Sequence, residues 1–416
     1  VSFQAGSVYN VNLATGIPAL YGSALDTIGL QYAADTIASA STGISFGENF
    51  SSINNIQMES MTFGGANLQA FAGFGAFDFD KDFTEQDDFF GFAVDDLDFG
   101  MNMFTSVIPI PEFPTFYAAT ASASEFAFQA GASEIMKLTG QDITFNYNAA
   151  DEWFGTPYSG AVDYQGSFEA DEDLGIPAGL QVSTGDPDNP VYIDLDGNGR
   201  IGVEIGFAQI EVLDFLYLSG SFAFEKGPTA EVSIEPGFLS EFSFPAIDQE
   251  IELLTIGASN VYGFAGIGGP YRADQNGDGI IEDHEINEDA IGVTIENADF
   301  AMAKMDLTAG VDATGGYLPE FIAIQASVES AGLVGFGDLL DVTIEDVEVN
   351  INTSVVPQLP ANLQAILPMP YINLANNEIN STEGLEIKTG NQDSPVYLTF
   401  DEEIVQIKVG YFYGML

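Results

Sequence analysis

The segment Asp274-Gln275-Asn276-Gly277-Asp278-Gly279-Ile280-Ile281-Glu282-Asp283-His284-Glu285 carries the clearest chemistry in the chain. It satisfies D-x-[DN]-x-[DN]-G-x5-E in full. Asp274, Asn276 and Asp278 place side-chain oxygens at loop positions 1, 3 and 5, and Gly279 permits the sharp turn at 6. Ile280 offers its carbonyl at position 7, Glu282 reaches an ion directly or through water, and Glu285 supplies two oxygens at position 12. Ca²⁺ takes six to eight hard oxygens, and this spacing provides them. Gly266 to Pro270 upstream does not read as a helix, so the expectation is a Ca²⁺ loop hung on a β scaffold and acting as a structural clamp. His284, the single His, falls at position 11 and should point outward.

Two further loops are candidates. Asp194, Asp196 and Asn198 repeat the first three oxygens before Gly199, but Glu204 falls one residue short of position 12. The competing reading is an Asn-Gly hairpin turn joining two strands. Asp78, Asp80 and Asp82 alternate in the same way, followed by Glu85, Asp87 and Asp88. There Phe83 stands where the turn needs Gly, and Lys81 neutralises part of the charge, which favours a solvated acidic loop.

Other chemistries are poorly supplied. The chain has 63 acidic and 8 basic residues, a net charge of −55, one His and no Cys. No Lys/Arg cluster exists to displace counterions from a nucleic acid, and an anionic membrane surface would repel the chain. Disulfides, thiolate catalysis and multi-His metal sites are excluded by composition. Among so many acids no spacing picks out a glycosidase pair. Glu152-Trp153-Phe154-Gly155-Thr156-Pro157-Tyr158 is the one candidate sugar-contacting patch.

These loops need a framework, and the framework reads as β. With 46% hydrophobic residues and 34 Phe, the chain has ample core material despite its charge. Period-two alternation marks Leu138–Asn148, Val191–Leu195, Gly202–Val212, Leu216–Phe224, Gly292–Ile295, Asp341–Asn352 and Leu385–Lys388 as strands. Phe89, Phe90, Phe222, Phe224, Phe242 and Phe244 read as buried faces. Only 23–40 and 121–137 leave room for short helices, and both are rich in Ser and Ala. The fold expected is all-β, as two tandem β-sandwich-like modules, with a β-solenoid or an extended curved sheet as the alternatives. No apolar run reaches the roughly 18 residues of a spanning helix. No charged-then-apolar leader opens the chain, which reads as a mature or excised piece.

The tandem arrangement comes from internal repetition. Met61-Thr62-Phe63-Gly64-Gly65-Ala66-Asn67 matches Leu254-Thr255-Ile256-Gly257-Ala258-Ser259-Asn260. Gly91 to Phe99 matches Gly292 to Phe300. Asp142, Asn146 and Asn148 match Asp346, Asn350 and Asn352. Thr184-Gly185 and Pro190-Val191-Tyr192 match Thr389-Gly390 and Pro395-Val396-Tyr397. Copy one is assigned to 1–212 and copy two to 213–416, with the Asp274 loop lying in an insertion of copy two.

Leu218-Ser219-Gly220-Ser221-Phe222-Ala223-Phe224-Glu225-Lys226-Gly227, followed by Leu254 to Val261, resembles repeat units of giant bacterial surface or secreted proteins. Ala326-Ser327, Leu333-Val334-Gly335 and Asn350-Ile351-Asn352 fit the same unit. The resemblance covers much of 190–355, and a weaker version recurs in copy one. Those proteins are adhesin-like, calcium-rich and built from many near-copies. It implies a long, acidic, extracellular or cell-surface repeat array, carries over no catalytic motif and says nothing about a specific ligand. Neighbouring copies or adjacent modules are the expected partners, and the alternative reading is a carbohydrate-binding or carbohydrate-active cell-envelope protein that meets surface glycans. The expected cofactor is Ca²⁺, and neither nucleic-acid binding nor membrane insertion is expected.

Overall fold

The computed structural model describes the chain apart from residues 18–42, 48–49, 82, 84–88, 108–111, 131–134, 154–158, 239–244, 278, 283, 309–318, 338–339, 357–359, 365–366, 376–383 and 416. Copy one supplies β1 (Ser2–Ala14), β2 (Ser45–Phe46), β3 (Ser52–Gly75), β4 (Phe89–Ser106), β5 (Phe116–Ala130), β6 (Met136–Ala150), β7 (Ala161–Asp163), β8 (Leu180–Val182), β9 (Val191–Ile193) and β10 (Arg200–Val212). Copy two supplies β11 (Leu216–Glu235), β12 (Ile247–Ile267), β13 (Ile291–Leu307), β14 (Glu320–Val334), β15 (Asp341–Val355), β16 (Tyr371–Ile372), β17 (Leu385–Ile387), β18 (Val396–Leu398) and β19 (Ile404–Met415).

One antiparallel sheet of 15 strands holds most of these; 13 follow the order β19-β15-β14-β13-β12-β11-β10-β6-β5-β4-β3-β1-β7, while β16 pairs with β11 and β2 with β3. The fold is all-β, as the alternation indicates. It is a single extended sheet that does not close into a barrel, and its antiparallel pairing excludes a parallel solenoid. Among the described residues a sandwich-like second layer is present only as the hairpins β8-β9 and β17-β18, one in each half. Two separate sandwiches are not formed, because β10 pairs with β6 on one side and with β11 on the other, from Ile201↔Lys226 to Val212↔Leu216.

The expected helix at 121–137 is instead the strand β5 and the first residues of β6. Ala118, Ala123 and Ala127 are buried opposite Asn148, Ile143 and Thr139 of β6, where small side chains fit, so packing overrides the helical preference of Ala. The 23–40 segment lies outside the described residues. The α-helices among the described residues are single turns, α1 (Tyr164–Ser167) and α2 (Ala361–Gln364).

Strands of 15 to 24 residues are several times the usual five or six. They persist because bulges let them bend and continue. Asn67 (φ 53°) in β3 and Asn260 (φ 51°) in β12 sit at matching register shifts against β4 and β13. Asp96 and Asn297, then Asp142 and Asp346, repeat the positive φ in the next strands. Asn and Asp tolerate this left-handed backbone better than other residues with a Cβ. The Asn67 amide donates to Asp98 Oδ1 at 2.7 Å, and the Asn260 amide donates to Asp299 Oδ1 at 3.1 Å. The positive φ of Asp346 falls at the break in alternation within Asp341–Asn352, without a register shift against β14 or β19.

Each half has its own core on the face that carries the hairpin. Val11, Ile53, Ile56, Phe104, Phe116, Trp153, Val182 and Ile193 form the first core. Ile251, Leu253, Met305, Phe321, Leu385, Ile387 and Leu398 belong to the second. Phe is not uniformly core. Phe104, Phe116, Phe321, Phe83 and Phe89 are buried, whereas Phe3, Phe63, Phe90, Phe92 and Phe224 are exposed. Phe242 and Phe244 lie outside the described residues. On the face opposite the hairpins, an apolar row crosses ten strands: Phe99–Ala121–Phe145–Val203–Phe224–Ile256–Met302–Ile324–Ile351–Val405.

The cores differ in one respect. In copy one Ser60 Oγ donates to Asn102 Oδ1 at 2.6 Å, and Asn102 Nδ2 donates to the Tyr164 hydroxyl at 2.9 Å. All three are buried, and burial holds the Tyr164 hydroxyl protonated far above its ordinary range. The corresponding residues of copy two are Leu253, Ala303 and Leu374, all buried. A buried polar network is favourable only when complete. Asn102→Ala should therefore cost about 1–3 kcal/mol by stranding two hydroxyls. The triple change Ser60→Leu, Asn102→Ala, Tyr164→Leu should recover part of that loss. Denaturant midpoints of the two variants check both outcomes.

Candidate functional site

The loop from Asp274 to Glu285 lies in the connection between β12 and β13. An isolated antiparallel bridge, Arg272↔Ile286, closes its base, so its flanks are extended and not paired helices. Arg272 anchors that base by donating from Nε and Nη2 to Glu296 Oε2, at 3.1 and 2.7 Å.

Inside the loop the carboxylates organise the backbone. Asp274 Oδ1 accepts from the Gly277 amide at 2.7 Å and Oδ2 from the Gly279 amide at 2.8 Å. Glu285 is 1% exposed. Its Oε1 accepts from the Gln275 amide at 2.8 Å, and its Oε2 from the Glu282 amide at 2.9 Å. It thus ties the two arms of the loop together. The Glu282 amide above all, with those of Gln275 and Asn276, holds the Glu285 carboxyl below its ordinary pKa of 4.5 despite burial. Gly277 and Gly279 adopt φ of 78° and 80°, which the loop needs and a Cβ would strain.

His284 points outward, as its position implies, 3.5 Å from Glu282 Oε2. Glu282 and Ile280 are exposed, and Asp278 lies outside the described residues. Among the described residues no three His, Asp or Glu side chains form a metal-sized group. The donor set remains one of hard oxygens. Asp274, Asn276, Glu282, Glu285 and the Ile280 carbonyl would hold a Ca²⁺ ion there, and each tied carboxylate oxygen retains a lone pair.

The position of this loop was not legible in the sequence. A Cβ on Gly279 would lie 3.2 Å from Gln141 Oε1 and 3.5 Å from Phe207 Cβ. Those residues belong to β6 and β10 of copy one. The loop of copy two thus reaches over β11 and rests on its predecessor.

The other two candidates look different. Asp196 is paired with Arg200, which also meets Glu225 at 3.2 Å, so a side-chain cation already faces this carboxylate. Asn198 donates to Asp196 from its backbone and side-chain nitrogens, at 3.2 and 3.1 Å, and Asp194 is exposed. The segment is not a hairpin turn either, because β9 pairs with β8 while β10 belongs to the large sheet. Asn148 Nδ2 holds it by donating to the Val162 and Asp196 carbonyls, both at 2.8 Å. Asn352 does the same to Ile372 and Glu402, at 3.0 Å, and is buried.

In the third candidate, Phe77, Phe79, Phe83 and Phe89 pack together, with Phe77 4.7 Å from Phe83 and 5.0 Å from Phe89. Asp78 and Asp80 alternate with these rings and are exposed, and Asp82 lies outside the described residues. The carboxylate spacing is therefore a core–solvent alternation, with Phe83 buried where a Ca²⁺ loop turns on Gly. Trp153 is fully buried against Phe113 and Phe116, so its ring cannot serve as a sugar platform. Residues 154–158 of that patch lie outside the described residues.

Sequence reasoning missed the seam between copies. Lys388, in the connection that follows β17, reaches back across it. Its Nζ lies 2.8 Å from Glu204 of β10 and 3.7 Å from Glu225 of β11. Burial alone would lower the Lys388 pKa, but Glu225 and Glu204 outweigh it and raise it above its ordinary value. On the opposite face a shallow apolar groove straddles the same seam, lined by Val203, Ile205, Phe222, Phe224, Ile256 and Phe300 among others.

No helix among the described residues is long and apolar enough to cross a membrane. The chain matches no protein-family model, no curated protein and no solved structure.

A depressed carboxyl pKa stabilises the fold above its unfolded value, and that stability is lost as pH falls through the folded value. The melting temperature of the wild type minus that of Glu285→Gln, in EDTA, should be constant from pH 7 to about 5. It should shrink as the pH falls below about 4.5.

Proposed function

We propose that this chain is a structural or adhesive element of an extracellular, cell-surface repeat array, stabilised by Ca²⁺ and without catalytic function. The observation that supports this best is the seam. One sheet runs from copy one into copy two, and the Asp274–Glu285 loop of copy two leans on Gln141 and Phe207 of copy one. A cation in that loop would stiffen the clamp and offset part of the local negative charge. The net charge of −55 suits surroundings that supply divalent cations or high salt. Repeats that share backbone ladders form a quasi-linear body whose stability is a sum over units and seams. Neighbouring modules are the partners this arrangement favours.

Binding to the native state alone stabilises by about 2.7 kcal/mol at a hundredfold excess over Kd. Thermal melts in EDTA, in millimolar Ca²⁺ and in Mg²⁺ at matched ionic strength test the clamp. The expected outcome is a rise of several degrees specific to Ca²⁺ and absent from the Asp274→Ala, Glu285→Ala double variant. An equal response to both ions, retained in the variant, would reject calcium and leave the charge as a salt adaptation.

A further inference from the structure

The sheet ends at β19 on one side, and the long strand at its other end is β1. We infer that these two edges are complementary, so that the β19 edge of one chain pairs with the β1 edge of a second copy, in the register that β10 and β11 already display at the internal seam. This rests on the tandem-module reading above, but not on calcium.

The correspondence is carried by the ladders themselves. β19 pairs with β15 as β10 pairs with β6: Ile404 faces Asn352 as Arg200 faces Asn148. β1 corresponds to β11 in the same way. Leu13 faces Val162 of β7 as Ile234 faces Ile372 of β16. Both strands shift register at a glycine of positive φ, Gly6 (87°) and Gly227 (120°). At the internal seam β10 pairs with β11 from Leu216 to Lys226, of which Ala223–Lys226 correspond to Ser2–Ala5 of β1, whereas the β19 edge away from β15 has no strand beside it among the described residues. Among the described residues β1 is paired on that side only at Asn12–Ala14, by β7.

Two glycines show the missing half of the contact. At the internal seam a Cβ on Gly390 would meet the carbonyls of both sides, Ile205 at 2.3 Å and Phe222 at 2.4 Å. Its counterpart Gly185 meets the Val1 backbone at 3.1 Å, with no strand of a preceding copy beside it. A Cβ on Gly227 would strike the Gly199 carbonyl at 2.4 Å, but one on Gly6 meets nothing nearer than Glu59 Oε1 at 3.9 Å. The space used by β10 at one seam is open at the other.

Charge and side chains agree. In a chain with 63 acidic residues, neither Ser2–Ala14 nor Ile404–Met415 contains an Asp or a Glu. Edge strands are ordinarily blunted by charge to prevent pairing. β19 carries one charge, Lys408, which is held at 3.1 Å by Glu348 of β15, and it presents Val405 and Ile407 at 71% and 72% exposure, while β1 presents Phe3 at 63%. Transferring the Val203↔Phe224 register sets Ile407 opposite Phe3 of the second copy, Gln406 opposite Gln4 and Val405 opposite Ala5. Ile407 and Phe3 would then extend the uncovered apolar face through Phe63 and Met101. Because the two edges differ and lie toward opposite ends of the sheet, the contact is heterologous and leaves a free edge at each end, so it propagates as a filament.

The chain has no Cys, so paired cysteines report the register without background. The full chain carrying Phe3→Cys and Ile407→Cys is oxidised at high ionic strength, in EDTA and in Ca²⁺, and run on non-reducing gels. A ladder of dimers, trimers and longer species is expected, with at least tenfold less crosslinking for Phe3→Cys with Gln406→Cys, whose side chains fall on opposite faces. Ile407→Cys alone should stay uncrosslinked, since a dimer there would mean symmetric β19–β19 or face-to-face contact. Far-UV circular dichroism confirms that each variant is folded. Folded variants that give no ladder, equal ladders for both pairs, or an Ile407→Cys dimer overturn the proposal. A ladder in EDTA without any Ca²⁺-specific melt would keep it while removing calcium from the proposed function.

Discussion

The backbone ladder between β10 and β11 is the contact on which the rest of the molecule depends. It turns two modules into one sheet, so neither copy has a closed boundary at residue 212. Everything distinctive lies around it. Lys388 sits among Glu204 and Glu225, Gly390 lets its loop approach both strands, and the Asp274 loop spans from one copy to the other. A sheet that continues through a covalent junction leaves unsatisfied edges only at its ends, and edge management becomes the main constraint on the surface.

The bulge rows are the second constraint. Strands this long would twist a flat sheet out of register, yet the positive-φ pairs Asn67 with Asp96 and Asn260 with Asn297 each shift the ladder by one residue and shift it back. The recurrence of Asn67 at Asn260, Asp96 at Asn297 and Asp142 at Asp346 shows that the repeated feature is backbone geometry more than side-chain packing. The two cores make the same point from the other side. Copy one buries Ser60, Asn102 and Tyr164 where copy two buries Leu253, Ala303 and Leu374, and the surrounding ladders are unchanged.

The Asp274 loop illustrates how an acidic motif can be both a folding device and a candidate ion site. Glu285 closes the loop through two backbone amides, so its charge is partly compensated by peptide dipoles even without a cation. The neighbouring acidic candidates diverge for clear reasons. Arg200 meets Asp196, and the Phe77–Phe83 cluster turns Asp78 and Asp80 outward.

Much of the fold was legible in the sequence, because period-two alternation and duplicated Gly, Asn and Asp positions are local signals. They gave the β class and the long strand at 341–352, which extends to Val355. The Ala- and Ser-rich strand β5 reads as helical in the sequence, since its small side chains are explained only by its place between β4 and β6 in the sheet. The sequence by itself determined the composition of the Asp274 loop, the absence of acid from both edge strands and the repeat. Only the tertiary structure decided that the copies share one sheet, that the loop of the second copy rests on the first, and that Val405 and Ile407 stand exposed. Those are consequences of strand order and register, which depend on contacts between residues far apart in the chain and leave no periodic trace along it.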